Sequence, residues 1–271
     1  MIATDIKYHL GFGPRQLGEE PPTLALLCGD PERTRAIALE TAGVHCEQTL
    51  STRRGLHSYL ISLDGGKRLI AATSGMGAPS LSIVANELVD LGIRQIIRVG
   101  TCGAIQEDVK VGSLVISRAA LCRQGAAQDI APVEYPAAAN PFLTLALVEA
   151  AHQLALPWHL GVTASVDTFY EGQERTASSA NKHLLRHLQG VTEEYRHLNI
   201  LNYEMEAGTL FKMAGVYGFA AACICGVLAD RTRSEAVVES QKQAAVDGAI
   251  RVALQAAASM DSRYLQPAYL R

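Results

Sequence analysis

A series of short apolar runs, separated by amphipathic segments, limits what this chain can fold into more than any other feature. Continuous runs of Val, Ile, Leu and Ala suit strands that are covered on both faces. Six such runs occur, at 24–28, 69–73, 95–99, 114–117, 160–165 and 220–228. Gly65 and Gly66 lie between two apolar segments, which is typical of a hairpin turn. The chain is therefore predicted to be a single-domain α/β protein in which helices cover a central mixed sheet.

Helical patterns lie between several of these runs. Residues 79–91 place their large apolar side chains on one stripe, and Gly92 favours a helix end directly after them. Asn140 and Pro141 supply an N-cap and a first-turn proline for a helix over 142–155. Two more helices are predicted, at 206–214 and 236–259. Because ligands of α/β folds gather at the carboxyl ends of strands, the loops after the apolar runs are the candidate sites.

Composition excludes several classes of protein. The 271 residues carry a net charge of −3, so there is no basic excess to bind a nucleic-acid polymer. No internal repeat or composition break divides the chain, and one domain is expected. The longest strongly apolar run, 218–229, is shorter than the roughly 20 residues that span a bilayer. The first residues lack a secretory signal pattern, and neither a membrane nor a secreted location is expected.

The cysteines and histidines do not form a metal-binding pattern. None of the six cysteines belongs to a CxxC pair, and the eight histidines show no zinc-ligand spacing. Most of the cysteines lie inside apolar stretches, which favours buried thiols in a reducing cytosol. The sequence therefore predicts a cytoplasmic protein without a metal site.

The first candidate loop follows the apolar run 24–28. Gly29 lets a ligand approach the backbone closely, Pro31 can begin a helix, and helix N-terminal amides favour anions. Arg33 adds a permanent positive charge one turn into that helix. The alternative is a tight turn capped by Asp30, with Arg33 solvated, and this stretch alone leaves both open.

The second candidate loop, 98–104, begins with Arg98 at the predicted end of a strand. An arginine in an apolar strand is costly to bury unless it is paired, either with an internal carboxylate or with a bound phosphate. Thr101, between two glycines, could donate a further hydrogen bond to a phosphate. Two loops that each offer glycine and arginine favour the phosphate. The glycine-rich turn 74–77 is better explained by close packing.

The third candidate loop follows the run 160–165. Phe169 offers a stacking face, Gln173 a donor and an acceptor, and Arg175 a planar fork. Together these groups could read the edge of a flat heterocycle. A polar surface loop would have a similar composition.

The fourth candidate lies at a loop–helix junction, where Glu204 and Glu206 flank Met205. A carboxylate beside an apolar thioether could accept hydrogen bonds from a sugar diol. Acidic residues at a helix N-terminus are also common, because the helix dipole favours them.

In this order the four stretches resemble the nucleoside phosphorylase superfamily, and within it the members that act on uridine. Any one motif alone identifies the family poorly. Five motifs in the same order and at matching spacing, namely the four stretches and residues 8–11, identify it well. The similarity covers nearly the whole chain, as a domain of residues 1–259 followed by a tail of residues 260–271. The matching segments are Tyr8-His9-Leu10-Gly11, Gly29 to Arg33, Arg98 to Gln106, Asp167 to Arg175, Asn202 to Glu206 and the final long helix.

The resemblance implies a pentosyl transfer in nucleoside salvage: uridine and phosphate reversibly give uracil and α-ribose 1-phosphate, with inversion at the anomeric carbon. Phosphate is a co-substrate, and no cofactor is expected. The implied phosphate-binding residues are Gly29, Arg33, Arg54, Arg98 and Thr101. The implied ribose-binding residues are His9, Thr101, Met205 and Glu206. The implied base-binding residues are Phe169, Gln173 and Arg175, and the implied catalytic residues are Arg98, Arg175, Glu206 and Arg231.

Family resemblance also implies that subunits share sites. His9 and Arg54 would come from a neighbouring subunit, although the adjacent Arg53 leaves the register open. A homodimer would then be the smallest active unit, and a hexamer built as a trimer of dimers is expected. Glu204 fits a supporting position.

Two residues depart from the family pattern. Asp230 stands where uridine-specific members usually carry Asn, and hexameric purine phosphorylases place a proton-donating Asp at the comparable turn. Purine activity therefore remains an alternative, and an ion pair with Arg231 or Arg233 would also explain Asp230. Gly55 stands where some bacterial relatives have a glutamate that helps hold potassium, so that ion is not expected.

Residues 231–240 resemble a mobile lid segment. Two alternatives to a phosphorylase remain. A nucleosidase that uses water would leave the arginines without their anion, and a nucleoside-binding protein would not catalyse.

Overall fold

Nine strands form one mixed sheet in the computed structural model, which describes residues 6–232 and 239–260. The strand order is β2-β3-β4-β1-β5-β8-β7-β6-β9, and β9 also pairs with β5. Five strands, β5, β8, β7, β6 and β9, therefore close into a ring. The strands are β1 (Leu24–Cys28), β2 (Val44–Ser51), β3 (Ser58–Leu63), β4 (Arg68–Thr73), β5 (Gln95–Ala104), β6 (Leu114–Arg123), β7 (Trp158–Val166), β8 (Ile200–Glu204) and β9 (Ala220–Asp230).

Helices cover both faces of this sheet. The helices are α1 (Pro14–Leu17), α2 (Pro31–Leu39), α3 (Ala78–Asp90), α4 (Gly125–Gln128), α5 (Pro141–Gln153), α6 (Val191–His197), α7 (Ala207–Tyr217) and α8 (Glu239–Ser259), with 3₁₀ turns at Arg53–Gly55 and Arg186–Leu188. Helices α3 and α7 contribute to one apolar cluster, and α2, α5 and α8 contribute to the other. Strand β1 supplies both, since Ala25 and Leu27 join the first cluster while Leu24 and Leu26 join the second. Such alternation requires two covered faces, as the continuous apolar runs predict.

Local signals place several elements as predicted. The Asp30 carboxylate accepts a hydrogen bond from the Glu32 amide at 2.9 Å and caps α2. The Asn140 side chain caps α5 by accepting from the first-turn amides. Strands β3 and β4 pair antiparallel across the Gly65-Gly66 turn. The α/β class with a mixed sheet is confirmed.

Two predicted strand ends are wrong. The strand predicted at 114–117 continues to Arg123 as β6, and the end of β5 is also misplaced. Strand β5 does not end at Arg98 but continues to Ala104, because its second half stays paired with β9. The residues from Gly100 to Gly103 are therefore strand rather than loop, with a bulge between Cys102 and Gly103. Strands β2 and β8 and helix α6 were not predicted. The predicted helix 236–259 corresponds to α8, and its first residues lie outside the described ranges.

Within the two described ranges, no helix is long and apolar enough to cross a membrane. The same ranges contain no group of three or more potential metal-binding side chains. Four of the six free cysteines are buried, Cys122 is half-buried and Cys46 is exposed on the edge strand β2. The sulfur atoms of Cys223 and Cys225 lie 3.7 Å apart, so these two side chains share one face, as expected for core packing.

The segment before α1 is held by carboxylates of α3, of which Asp90 pairs with Lys7 and Glu87 makes the larger number of contacts. Glu87 of α3 accepts hydrogen bonds from the backbone amide of Leu10 at 2.8 Å and from Nδ1 of His9 at 2.7 Å. Burial raises the pKa of the Glu87 carboxyl, but these hydrogen bonds outweigh burial and place the pKa below its ordinary value of 4.5. Its charged form therefore stabilises the folded chain.

We expect Glu87→Gln to lower the free energy of unfolding by about 1.5–3 kcal/mol at pH 7, the usual cost of a lost hydrogen bond to a charged group. The stabilisation is complete above pH 4.5 and is lost as the pH falls through the lower pKa of the folded state. Thermal unfolding between pH 3 and 7 should show the gap between variant and parent closing towards acid. Glu107→Gln, which removes an exposed ion pair with Arg196, is the control. A gap that does not change with pH would contradict this role for Glu87.

Candidate active site

A cavity of about 480 Å³ opens where β1, β7 and β8 end and where the far halves of β5 and β9 run side by side. The segments that sequence analysis selected separately converge on it. Ten of the candidate residues line it: Gly29, Arg33, Arg98, Thr101, Phe169, Gln173, Arg175, Glu204, Met205 and Glu206. Arg231, His9 and Arg54 are not among the lining residues.

The N-terminus of α2 lines part of the cavity. Gly29 and Arg33 lie there, and Nη1 of Arg33 donates to the carbonyl oxygen of Val99 at 3.1 Å. Across the part of the chain that is described, Nε of Arg33 and Nη1 of Arg98 are buried without a hydrogen-bond partner. A buried donor without a partner is costly. Two such donors beside helix N-terminal amides suit an anion.

Arg98 lines the cavity and forms ion pairs with two carboxylates. It is 4% exposed, and its Nε lies 3.3 Å from the Glu204 carboxylate while Nη2 donates to Glu206. Burial lowers the pKa of Arg98, but the carboxylates of Glu206 and Glu204 outweigh burial and raise it. The internal ion pair that competed with the phosphate interpretation is therefore present. Arg98 nevertheless also contacts the cavity.

Glu206 is fixed by two elements. Besides the contact with Arg98, its Oε1 accepts a hydrogen bond from the Gly77 amide at 2.6 Å. The turn 74–77 was expected to serve only close packing. It does pack closely, since a Cβ on Gly75 would lie 2.6 Å from the Ser80 hydroxyl, but it also binds the Glu206 carboxylate. The hydrogen bond between Gly77 and Glu206 thus joins the glycine-rich turn to the loop–helix junction.

The predicted heterocycle-reading group also lines the cavity. Nε of Arg175 donates to Oε1 of Gln173 at 3.2 Å, and the guanidinium carbon lies 4.1 Å from the centre of the Phe169 ring. Phe169 is 40% exposed, so the ring remains accessible although Arg175 stacks on it. Behind them, Nη2 of Arg231 donates to the backbone oxygen of Gln173 at 2.7 Å. Arg231 thus supports the loop that carries Gln173.

Gly103 permits this arrangement. A Cβ there would lie 3.0 Å from Cγ of Arg231 and 3.5 Å from Nη2 of Arg175. A side chain there would crowd Arg231, whereas its distance to Arg175 would be an ordinary van der Waals contact. The bulge of β5 therefore places a glycine where the Arg231 side chain needs space.

The two residues assigned to a neighbouring subunit lie together and away from this cavity. His9 and Arg54 both contact Tyr8, which is 62% exposed: the His9 and Tyr8 rings are 4.9 Å apart, and Nη2 of Arg54 donates to the Tyr8 hydroxyl at 3.2 Å. Arg53 also stacks on Tyr8, at 5.1 Å from the ring centre. His9, Arg53 and Arg54 thus form one cluster around the exposed Tyr8.

Asp230 has a local role in the described part of the chain. Its Oδ1 accepts from the Thr232 amide at 3.0 Å and from the Thr232 hydroxyl. Arg233 and most of the segment expected to form a lid lie outside the described residues.

Several lining residues were not predicted. Met76, Tyr203, Leu228, Ala229 and Lys242 all contact the cavity. Lys242 belongs to α8, far in sequence from the motifs. Of these residues, only Met76 lies in a recognisable sequence pattern, because a glycine stands on either side of it. The others look like ordinary strand or helix residues.

Comparison with known proteins gives consistent matches. The family model described as the phosphorylase superfamily matches residues 23–260. The uridine phosphorylase of Escherichia coli K12 is 38% identical over 257 residues, which cover 95% of this chain and 98% of that protein. The uridine phosphorylase of Thermococcus kodakarensis is 34% identical over 89% of this chain and 83% of its own length. A guanosine phosphorylase of Halorubrum lacusprofundi is 31% identical over 75% of this chain and 77% of its own length.

Proposed function

The chain belongs to the phosphorylase superfamily, and we propose that it catalyses the reversible phosphorolysis of uridine to uracil and α-ribose 1-phosphate. The observation that carries this proposal is the convergence of Arg33, Arg98 and Arg175 on one cavity, which the N-terminus of α2 and the aromatic ring of Phe169 also line. Relatives named uridine phosphorylase support the choice of nucleoside.

Inorganic phosphate would occupy the part of the cavity beside α2. Gly29 allows the anion to approach the backbone, Thr101 offers a hydroxyl, and Arg33 and Arg98 each keep a buried donor without a partner in the described residues. Charge-assisted hydrogen bonds of this kind are shorter and stronger than neutral ones. Arg98 remains charged although it is buried, because the carboxylates of Glu206 and Glu204 raise its pKa.

Ribose and base would fill the rest of the cavity. Met205 and Glu206 would contact the ribose hydroxyls, while Gln173 and Arg175 would bind the polar edge of uracil and Phe169 its face. The Gln173–Arg175 hydrogen bond orients both groups before a ligand arrives. A site that is already oriented loses less entropy on binding.

The residues then act on charge that develops during reaction. As the bond from C1′ to N1 breaks, its electron pair goes to uracil and ribose gains positive character. A phosphate oxygen forms the new bond to C1′ from the opposite face, which inverts that carbon. Arg175 would stabilise the negative charge on the base, and the bound phosphate the charge on ribose. Two unit charges about 4 Å apart interact by about 4 kcal/mol at an effective dielectric of 20.

We further propose that sites are completed between subunits. His9 and Arg54 lie in one cluster around the exposed Tyr8, outside the cavity, which is the arrangement needed if they serve a neighbour's ribose and phosphate. Of the two arginines, Arg54 is our choice for that role. The assembly would be a homodimer at least and a hexamer when complete. The domain would span residues 1–259 with a tail of 260–271, whose residues from 261 on lie outside the described ranges.

The remaining assignments are expectations. Phosphate serves as co-substrate and no cofactor or potassium ion is expected. The free thiols suit a reducing cytoplasm.

The deciding experiment measures uracil release from uridine with and without phosphate. Release that requires phosphate and yields ribose 1-phosphate is expected. Phosphate-independent release would indicate a nucleosidase, and binding without release would indicate a binding protein. Faster turnover of inosine or guanosine than of uridine would overturn the choice of base.

A further inference from the structure

Glu204 lines the cavity, and four hydrogen-bond donors of the protein already hold its carboxylate. Its Oε2 accepts from the backbone amides of Glu206 and Ala207, each at 2.8 Å, and from Nε of Arg98 at 3.3 Å. Its Oε1 accepts from the hydroxyl of Ser165. Both oxygens of the carboxylate are therefore occupied, Oε2 by three donors and Oε1 by one.

The four donors come from three elements that meet at the cavity. Arg98 lies on β5, Ser165 on β7, and the two amides begin α7. Ser165 also accepts from the Gly208 amide at 2.8 Å, which ties the first turn of α7 to β7 a second time. Glu204 itself faces Ser165 across the β7–β8 pair. One side chain therefore fixes the relative positions of a guanidinium, a strand end and a helix start.

The side chain of Glu204 has no exposed surface, whereas that of Glu206 is 4% exposed. Glu206 contacts Arg98 and Gly77. Both residues line the cavity, and they differ in their partners. Glu204 is held by four donors, one from β7, one from β5 and two from the start of α7.

We infer that Glu204 is a positioning residue, which holds Arg98 and the first turn of α7 in the geometry that phosphate and ribose require without contacting either substrate. This inference rests on the proposed phosphorolysis. Without Glu204, Arg98 would keep only Glu206 as a partner and would turn towards it, away from the phosphate. The α7 start, which carries Glu206, would lose two of its N-terminal hydrogen bonds.

The test uses Glu204→Gln, which keeps the shape and one acceptor but removes the charge, in the full-length protein. We expect kcat/KM for phosphate to fall about 10- to 100-fold, mainly through a higher KM for phosphate. We also expect the rise in Tm that 10 mM phosphate produces in the parent to shrink, since ligand stabilisation follows affinity. Glu107→Gln, which breaks an exposed Glu–Arg pair, is the matched control and should change neither value.

Two further variants distinguish positioning from general stabilisation. Ser165→Ala removes one donor to Glu204 but none to Arg98, and should raise the phosphate KM by a factor of about two to five. Combining Glu204→Gln with Arg98→Lys should cost less than the sum of the single effects, because both act on one contact. Additive effects, or an unchanged phosphate KM in folded Glu204→Gln, would overturn the inference. If the parent itself releases uracil without phosphate, the proposed function fails instead.

Discussion

Replacing Arg98 by alanine should lower kcat/KM for phosphate by about 10³-fold or more. Loss of one oriented donor to a developing or bound anion usually costs about 10²–10³. Here the loss also leaves Glu204 and Glu206 buried without their cationic partner. Burial already raises the pKa of Glu204 to about 7, and without Arg98 this carboxyl would be protonated, so the hydrogen bonds around the site would also change. Steady-state rates of uracil formation at varied phosphate measure the fall in kcat/KM.

The same substitution should destabilise the fold, since removing one partner of a buried ion pair typically costs about 3–5 kcal/mol. Arg98→Lys keeps the charge while losing the planar fork, and should fold better while remaining at least about 30-fold impaired. Arg94→Ala, at an exposed arginine just before the same strand, is the control. If folded Arg98→Lys and Arg98→Ala both stayed within threefold of the parent, the phosphate assignment would be untenable.

Replacing Arg175 by methionine should reduce kcat/KM for uridine by about 10²-fold while changing the rate with inosine much less. Arg175 is 3% exposed and is held between Gln173 and Phe169, so its guanidinium can bind a pyrimidine edge without reorganising. A site that hydrogen-bonds one substrate discriminates strongly against another that lacks the matching groups. The measurement is the ratio of uridine to inosine turnover.

Arg118→Met, at an exposed position of β6, should leave that ratio unchanged. Equal losses with both nucleosides would mean that Arg175 supports the cavity rather than reading the base. If the ratio of uridine to inosine turnover is the same in Arg175→Met as in the parent, other residues select the base, and Asp230 is the first to test.

Much of the fold could be predicted because strands buried on both faces can be recognised from their continuous apolar composition. The run 24–28 has no polar residue, and each of its faces meets a different helix layer. Strand β8 could not be recognised in this way, since Asn202 and Glu204 interrupt its apolar pattern. Strand β5 was cut short because Gly100 and Gly103 resemble breakers. Only pairing with β9, more than 100 residues later, carries that strand onward.

Only part of the candidate site could be predicted from the sequence. Loops with both glycine and arginine after a strand could be selected from the sequence, and the cavity brings them together. The partners of Arg98 could not, because an ion pair between residues about 100 positions apart leaves no local pattern. Lys242 was missed for the same reason: a lysine in an amphipathic helix is usually solvated.

The pairing of β9 with β5 has a consequence for solubility. Because that pairing closes one end of the sheet, β2 is the strand among those described that has a neighbour on one side only. An open strand edge can recruit another chain and start aggregation. Here the exposed residues include His45, Glu47 and Gln48, and the pairing of β2 with β3 is irregular after Cys46 and again after Thr49. Polar side chains and a kinked backbone make this edge a poor template for intermolecular β-pairing.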